Sequence, residues 1–143
     1  MKIGATDISA VKIGATDVNK VYLGDNLVWQ KVAATLLLDL YPNAAAAYSL
    51  RKLRTDYAGD AIRVRIDTTG QPTYEIGFDS NGELDVADLL SKAAGNDAYV
   101  HTWYDQSGGG GNDAVQGSAS AQPKIVSSGS VINENGKISV KFD

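Results

Sequence analysis

A ten-residue pattern is written three times at the start of this chain. Ile3-Gly4-Ala5-Thr6-Asp7-Ile8 returns as Ile13-Gly14-Ala15-Thr16-Asp17-Val18 and again, altered, as Leu23-Gly24-Asp25-Asn26-Leu27-Val28. A period this short leaves room for one short strand and one turn per repeat. Each glycine follows an apolar residue and opens a polar stretch, where glycine supplies the positive φ of a tight turn and Asp or Asn closes it. The runs between, 8–13, 18–23 and 27–32, have ordinary strand length. The spacing predicts a β-meander over residues 1–32. A module of about thirty residues cannot bury enough surface to offset its own ordering entropy. It must dock, either on the rest of the chain or on another protein. In the second case Ile3, Ile8, Ile13, Val18, Leu23, Val28 and Trp29 are the contact residues, with Trp29 the side chain best suited to plug a pocket.

The chain has 143 residues, enough for one ordinary domain at 33–143 behind that module. With 43% apolar and 21% charged residues it has a globular composition. There is no cysteine, which excludes disulfides and thiolate zinc sites. A net charge of -4 argues against a surface for nucleic-acid phosphates. The basic residues Arg51, Lys52, Arg54, Arg63 and Arg65 lie at helical or alternating spacing beside Asp56, Asp60 and Asp67, and read as solvated faces. The longest apolar run, Val32 to Leu38, is seven residues broken by Thr35, far short of the ~20 that span a bilayer. Neither nucleic acid nor membrane is an expected partner, and the N-terminus does not read as a signal peptide.

Beyond residue 32 the alanine-rich stretch 44–54, with Asn43 as cap and basic residues near its end, predicts a helix. Strict alternation over 61–66 predicts a half-buried strand, and 73–78 a second. Asp85 caps a helix over 86–94, with Gly95 past its end. An aromatic strand at 99–104 follows, then the glycine loop 107–113 and short strands at 114–116, 124–126 and 138–142. The expected class is mainly β with two short helices, an α+β arrangement.

His101 is the sole histidine, so a multi-His metal site is excluded and any Ser-His-Asp triad rests on this one residue. Alternation puts His101 and Trp103 on one side of their strand and Thr102 and Tyr104 on the other. Asp105 and Asp113 bracket the glycine loop, as paired glycosidase carboxylates would, or as turn residues do. The glycine run lacks the lysine of a P-loop. Asp79-Ser80-Asn81-Gly82 brings its glycine too early for an EF-hand and reads as a hairpin turn. No cofactor is expected. Trp103, Tyr104 and Tyr99 could serve as sugar platforms, with Asp105 and Gln106 bonding hydroxyls. Exposure of Trp103 and Tyr104 discriminates that role from core packing.

Two stretches, "LLLDLYPNAAAAYSLRKLRTDYAGDAIRVR" and "VHTWYDQSGGGGNDAVQ" with "AQPKIV" after it, resemble the N-terminal part of the catalytic domain of the α-L-arabinofuranosidase B family. That domain is a concanavalin-like β-sandwich with a Tyr-Asp-Gln-Ser-Gly loop closed by Asn. The resemblance covers about Leu36 to Asp143 and implies a β-sandwich-like or partial jelly-roll domain. The family's catalytic carboxylates lie downstream of every residue present, so no catalytic residue carries over. The same segment is similar to one found in bacteriophage tail and fibre proteins, and the opening repeat resembles N-terminal repeats of phage structural proteins. These resemblances imply a non-enzymatic virion protein anchored by residues 1–32 to a portal, tail, capsid or fibre component. They also imply a homo-oligomer, trimeric if a fibre, with a host glycan as a further partner. The alternative they leave is a carbohydrate-binding module or a fragment of an arabinofuranosidase-like glycosidase.

Overall fold

The computed structural model describes residues 2–3, 6–7, 11–13, 16–18, 20–30 and 35–142, which fall into two compact units, Met1–Thr35 and Leu36–Asp143. The first contains β1 (Lys2–Ile3), β2 (Thr6–Asp7), β3 (Val11–Ile13), β4 (Thr16–Val18), β5 (Lys20–Leu23) and β6 (Asn26–Gln30). They pair antiparallel in twos, with Ile3 opposite Thr6, Ile13 opposite Thr16 and Leu23 opposite Asn26. Among the described residues each repeat therefore closes on itself as a hairpin, and no strand pairs between repeats. The meander becomes hairpins in series, because Thr6-Asp7, Thr16-Asp17 and Asn26 lie on the returning arms and not in the turns. Gly24, at φ +60, takes the first of two loop positions, where a type II′ turn needs glycine. Val28 is the extra residue of a bulge between the Val21–Trp29 and Tyr22–Leu27 pairs.

The second unit contains α1 (Leu37–Leu40), β7 (Ile62–Ile66), β8 (Thr73–Ile76), α2 (Val86–Ala93), β9 (Ala98–Trp103), β10 (Ala114–Val115), β11 (Lys124–Ser127), β12 (Ser130–Val131), β13 (Asn133–Glu134) and β14 (Lys137–Ile138). The fold is mainly β with two short helices. One antiparallel sheet runs β12-β11-β9-β7-β8, and β10 pairs with the far end of β9. Strand β9 is central because it is flanked by β7 along its length and by β11 and β10 on the other side. Ser128-Gly129 and Asn135-Gly136 link β11 to β12 and β13 to β14 with both residues at positive φ, the pattern of type I′ hairpins.

Ile62, Val64, Ile66, Ile76, Ala98, Val100, Ile125 and Val126 form the core face of this sheet. Helix α2 covers it with Leu89 and Ala93, while Ile138 and Val140 pack from the β14 side, so these pieces make the second layer. Asp85 caps α2 by accepting from the Asp88 amide at 2.9 Å. The helix ends on Ala94 at φ +47, followed by Gly95 at φ +85. Among the described residues no helix is long and apolar enough to cross a membrane.

Two expectations are corrected. Residues 44–54 are not helical: the segment runs extended, with its expected cap Asn43 at φ +71. Arg65 is not on a solvated face but only 7% exposed, because the 119–122 segment lies over it.

At the β11–β12 turn, a Cβ on Gly129 would lie 3.0 Å from the Gly95 Cα, backbone against backbone. Gly129→Ala is expected to destabilise the second unit by about 1–3 kcal/mol. Ala94→Gly is expected to stabilise it by up to about 1 kcal/mol, since glycine accepts the left-handed C-cap without strain. Urea unfolding of both variants checks the opposite signs.

Candidate functional site

The end of β9 and the loop after it concentrate the residues singled out in the sequence. Between β7 and β9 the register shifts, so that Thr102 pairs with Arg63 but Val100 pairs with Val64, leaving His101 as a bulged residue. The bulge reverses the alternation beyond it. Trp103, opposite Ile62, joins the core face and packs against the core, while Thr102 opposite Arg63 takes the other face. The His101 ring is half-buried, with Nδ1 2.8 Å from the Thr102 hydroxyl. Among the described residues no carboxylate bonds the ring, as a triad would require.

Trp103 lines a groove of about 870 Å³ with Leu50, Leu84, Ile138 and Phe142, and with the carboxylates Asp79, Glu83 and Asp85. An ion pair between Arg51 and Glu83 stands on its rim. The Trp103 Nε1 is buried without a hydrogen-bond partner, a costly arrangement that a core normally avoids. Tyr104 points elsewhere. Its hydroxyl donates to Glu75 Oε2 at 2.8 Å, and the Arg63 Nε donates to the other oxygen of that carboxylate at 2.6 Å. Burial, followed by the Glu75 hydrogen bond and charge, pushes the Tyr104 phenol up to about 12.

Asp105 and Gln106 are buried, 8% and 0% exposed. Gln106 acts as a piece of strand for the extended segment 44–53. Its Oε1 accepts from the Leu53 amide at 2.8 Å, and its Nε2 donates to the Ser49 and Arg51 carbonyls at 3.1 Å each. Its backbone N–H donates to the Ala47 carbonyl at 2.8 Å. The three residues met by the side chain are two apart, the repeat of an extended chain. Asp105 accepts from the amides of Ala47 and Ser107 at 2.8 Å and from the Ser107 hydroxyl at 2.7 Å. Burial pushes its carboxyl up, but the Ser107, Ala47 and Asn112 donors together outweigh this and hold it below the usual range.

The glycine loop closes on the same segment. Asn112 Nδ2 donates to the Ala45 carbonyl at 2.9 Å, the Tyr48 hydroxyl donates to the Asn112 carbonyl, and Asp113 accepts from the Asp105 amide at 2.9 Å. A Cβ on Gly108, at φ +87, would collide with the Arg54 guanidinium, which donates to the Ser107 carbonyl at 2.9 Å. Asp105 and Asp113 are thus both engaged in closing the loop and do not face each other across an open cleft.

Of the expected glycan contacts, then, Trp103 and Tyr99 line concavities, each a different one. Asp105 and Gln106 have their polar atoms committed to the chain's own backbone, and Tyr104 is tied to Glu75. No sequence pattern distinguishes a glutamine that bonds backbone from one that awaits a ligand. Of the docking residues, Ile3, Ile13 and Val18 lie in β1, β3 and β4, and Ile8 is outside the described residues. Leu23 is 75% exposed and Val28 39%. Trp29 is 6% exposed, so it is not held out as a plug. Among the described residues no group of three His, Asp or Glu side chains is placed to hold a metal ion.

Gln106→Leu keeps the volume but strands one amide and two carbonyls, and is expected to cost about 3–5 kcal/mol. Faster tryptic cleavage after Arg51, Lys52 and Arg54 would report release of the segment. Because Asp105 titrates lower in the folded than in the unfolded chain, its contribution is present above about pH 4 and lost as pH falls through the folded value. Asp105→Asn is expected to flatten that acid limb of the stability curve, as measured by urea midpoints against pH.

Comparison with protein-family models, with curated proteins and with solved structures finds no match to this chain.

Proposed function

We propose that the chain is a non-enzymatic structural protein of a phage virion, held to the particle by residues 1–32 and carrying the 33–143 domain outward as part of a fibre, tail or capsid accessory. The observation that supports this reading most is the form of the repeat. Its described strands pair only in twos, within a repeat, and isolated two-stranded hairpins are marginal in water. Such a module gains stability from a surface that covers it, and Leu23 and Val28, with Tyr22 at 55% exposure, are apolar side chains available for that. The glycine loop supports a scaffolding role for the second unit, since its two carboxylates, Asp105 and Asp113, both accept bonds that close the loop. Partners are other virion proteins and further copies of the chain, and the outward domain is positioned to meet a host surface.

The test uses particles lacking the protein. Purified full-length chain should bind them and the chain without residues 1–32 should not, while circular dichroism shows the remainder still folded. Leu23→Asp combined with Val28→Asp should weaken particle binding by about tenfold or more, the loss expected when two apolar contacts are replaced by charges. Equal binding by the truncated chain would overturn the anchoring role.

A further inference from the structure

On the sheet face opposite the core, away from the Trp103 groove, lies a cavity of about 360 Å³ lined by Arg65, Asp67, Gln71, Tyr99 and Gln122 together with the 119–121 turn. Arg65 forms its floor. Burying a guanidinium is costly unless its donors are met. Here Nε donates to Gln122 Oε1 at 2.7 Å, Nη1 to Asp67 Oδ1 at 3.1 Å and Nη2 to the Ala119 carbonyl at 3.4 Å. Arginine carries five N–H groups. Two are not used by these bonds, and a third makes only a long one. Stapling the 116–122 segment to the sheet accounts for the Gln122 and Ala119 bonds and leaves those two donors unexplained.

A second observation lies across the cavity. Gln71 sits at φ +44, between Gly70 and Pro72, in a conformation that glycine or asparagine would adopt more readily. Its side chain is exposed and faces the cavity. The third wall is the half-buried Tyr99 ring, whose centroid lies 4.7 Å from the Arg65 guanidinium carbon. The cavity's formal charges cancel, Arg65 against Asp67. The Lys124 ammonium, also over the Tyr99 ring at 5.2 Å from its centroid, is held by Asp97 at 2.7 Å. Donors and acceptors alternate at close range around one aromatic edge with no net charge, which suits a hydroxyl-rich neutral ligand better than a carboxylate or phosphate.

We propose that this cavity binds one neutral sugar residue, with Arg65 and Gln71 bonding its hydroxyls and Tyr99 packing against its C–H edge. This extends the host-surface part of the function proposed above but is read on different residues, so loss of particle docking and loss of sugar binding are separable results. The experiment is an NMR titration of the full-length chain, labelled with nitrogen-15, against methyl glycosides of glucose, galactose, mannose and N-acetylglucosamine, with glucuronate as the charged comparison. The Arg65 Nε–H and Gln71 side-chain amide signals should shift saturably with at least one neutral glycoside, at an affinity on the order of millimolar. Gln71→Gly removes the side chain while accepting the positive φ, so it should leave thermal stability unchanged or raised and weaken binding about fivefold to tenfold. Absence of any saturable shift at those signals, equal binding by Gln71→Gly, or a response to glucuronate alone would each overturn the assignment.

Discussion

The second unit depends on a carboxamide. Gln106, fully buried, replaces a whole strand's edge for residues 49–53, and Asp105 beside it holds the Ala47 amide. Neither could be traded for an apolar residue of similar size, because the groups they meet are backbone amides and carbonyls that have no other partner of this quality. The loop that follows is shaped by the same demand. Ser107 and Asn112 converge on the Asp105 carboxylate, and Asn112 reaches the Ala45 carbonyl. Four consecutive glycines, 108–111, let the backbone turn tightly enough to bring both ends of the loop onto one carboxylate, three of them at positive φ.

This dependence explains what could be read in the sequence and what could not. Strands β7, β8, β9 and β11 and helix α2 were legible because their hydrophobic periods, caps and glycines are local properties of the segments themselves. Gly24 likewise marks the turn of its repeat. The helix expected at 44–54 failed because alanine's propensity is worth only tenths of a kcal/mol per residue, while Asp105 and Gln106 offer the same backbone groups several buried hydrogen bonds in the extended form. Those residues lie more than fifty positions away in sequence. Nothing within 44–54 announces them. A single bulge at His101 similarly brings Trp103 onto the core face with Val100, which unbroken alternation would have kept apart, since alternation holds only while the register does.

Charge on this fold follows the same non-local logic. Arg63 and Arg65 look equivalent in the alternation of β7, yet one meets Glu75 at the half-exposed surface and the other is covered by the 119–122 turn. Which arginine is buried depends on where a later segment crosses the sheet. Composition and spacing could only report that both were basic. The resulting asymmetry places the Tyr104–Glu75–Arg63 network near one edge of the sheet and the Arg65 cavity toward the β11 side, each with its charges internally matched.

The extended strap has a consequence in time as well as in space. A chain leaving the ribosome presents residues 44–54 long before Gln106 exists, and in that interval the segment's own preference is for helix. The native contacts that displace the helix close a loop of more than fifty residues, which makes them late and slow compared with the hairpins of the repeat. Synthesis therefore presents the strap well before the side chains that hold it extended, while an isolated helix of its length is only marginal in water. Its native contacts can close only once the Asp105-Gln106 pair has been made.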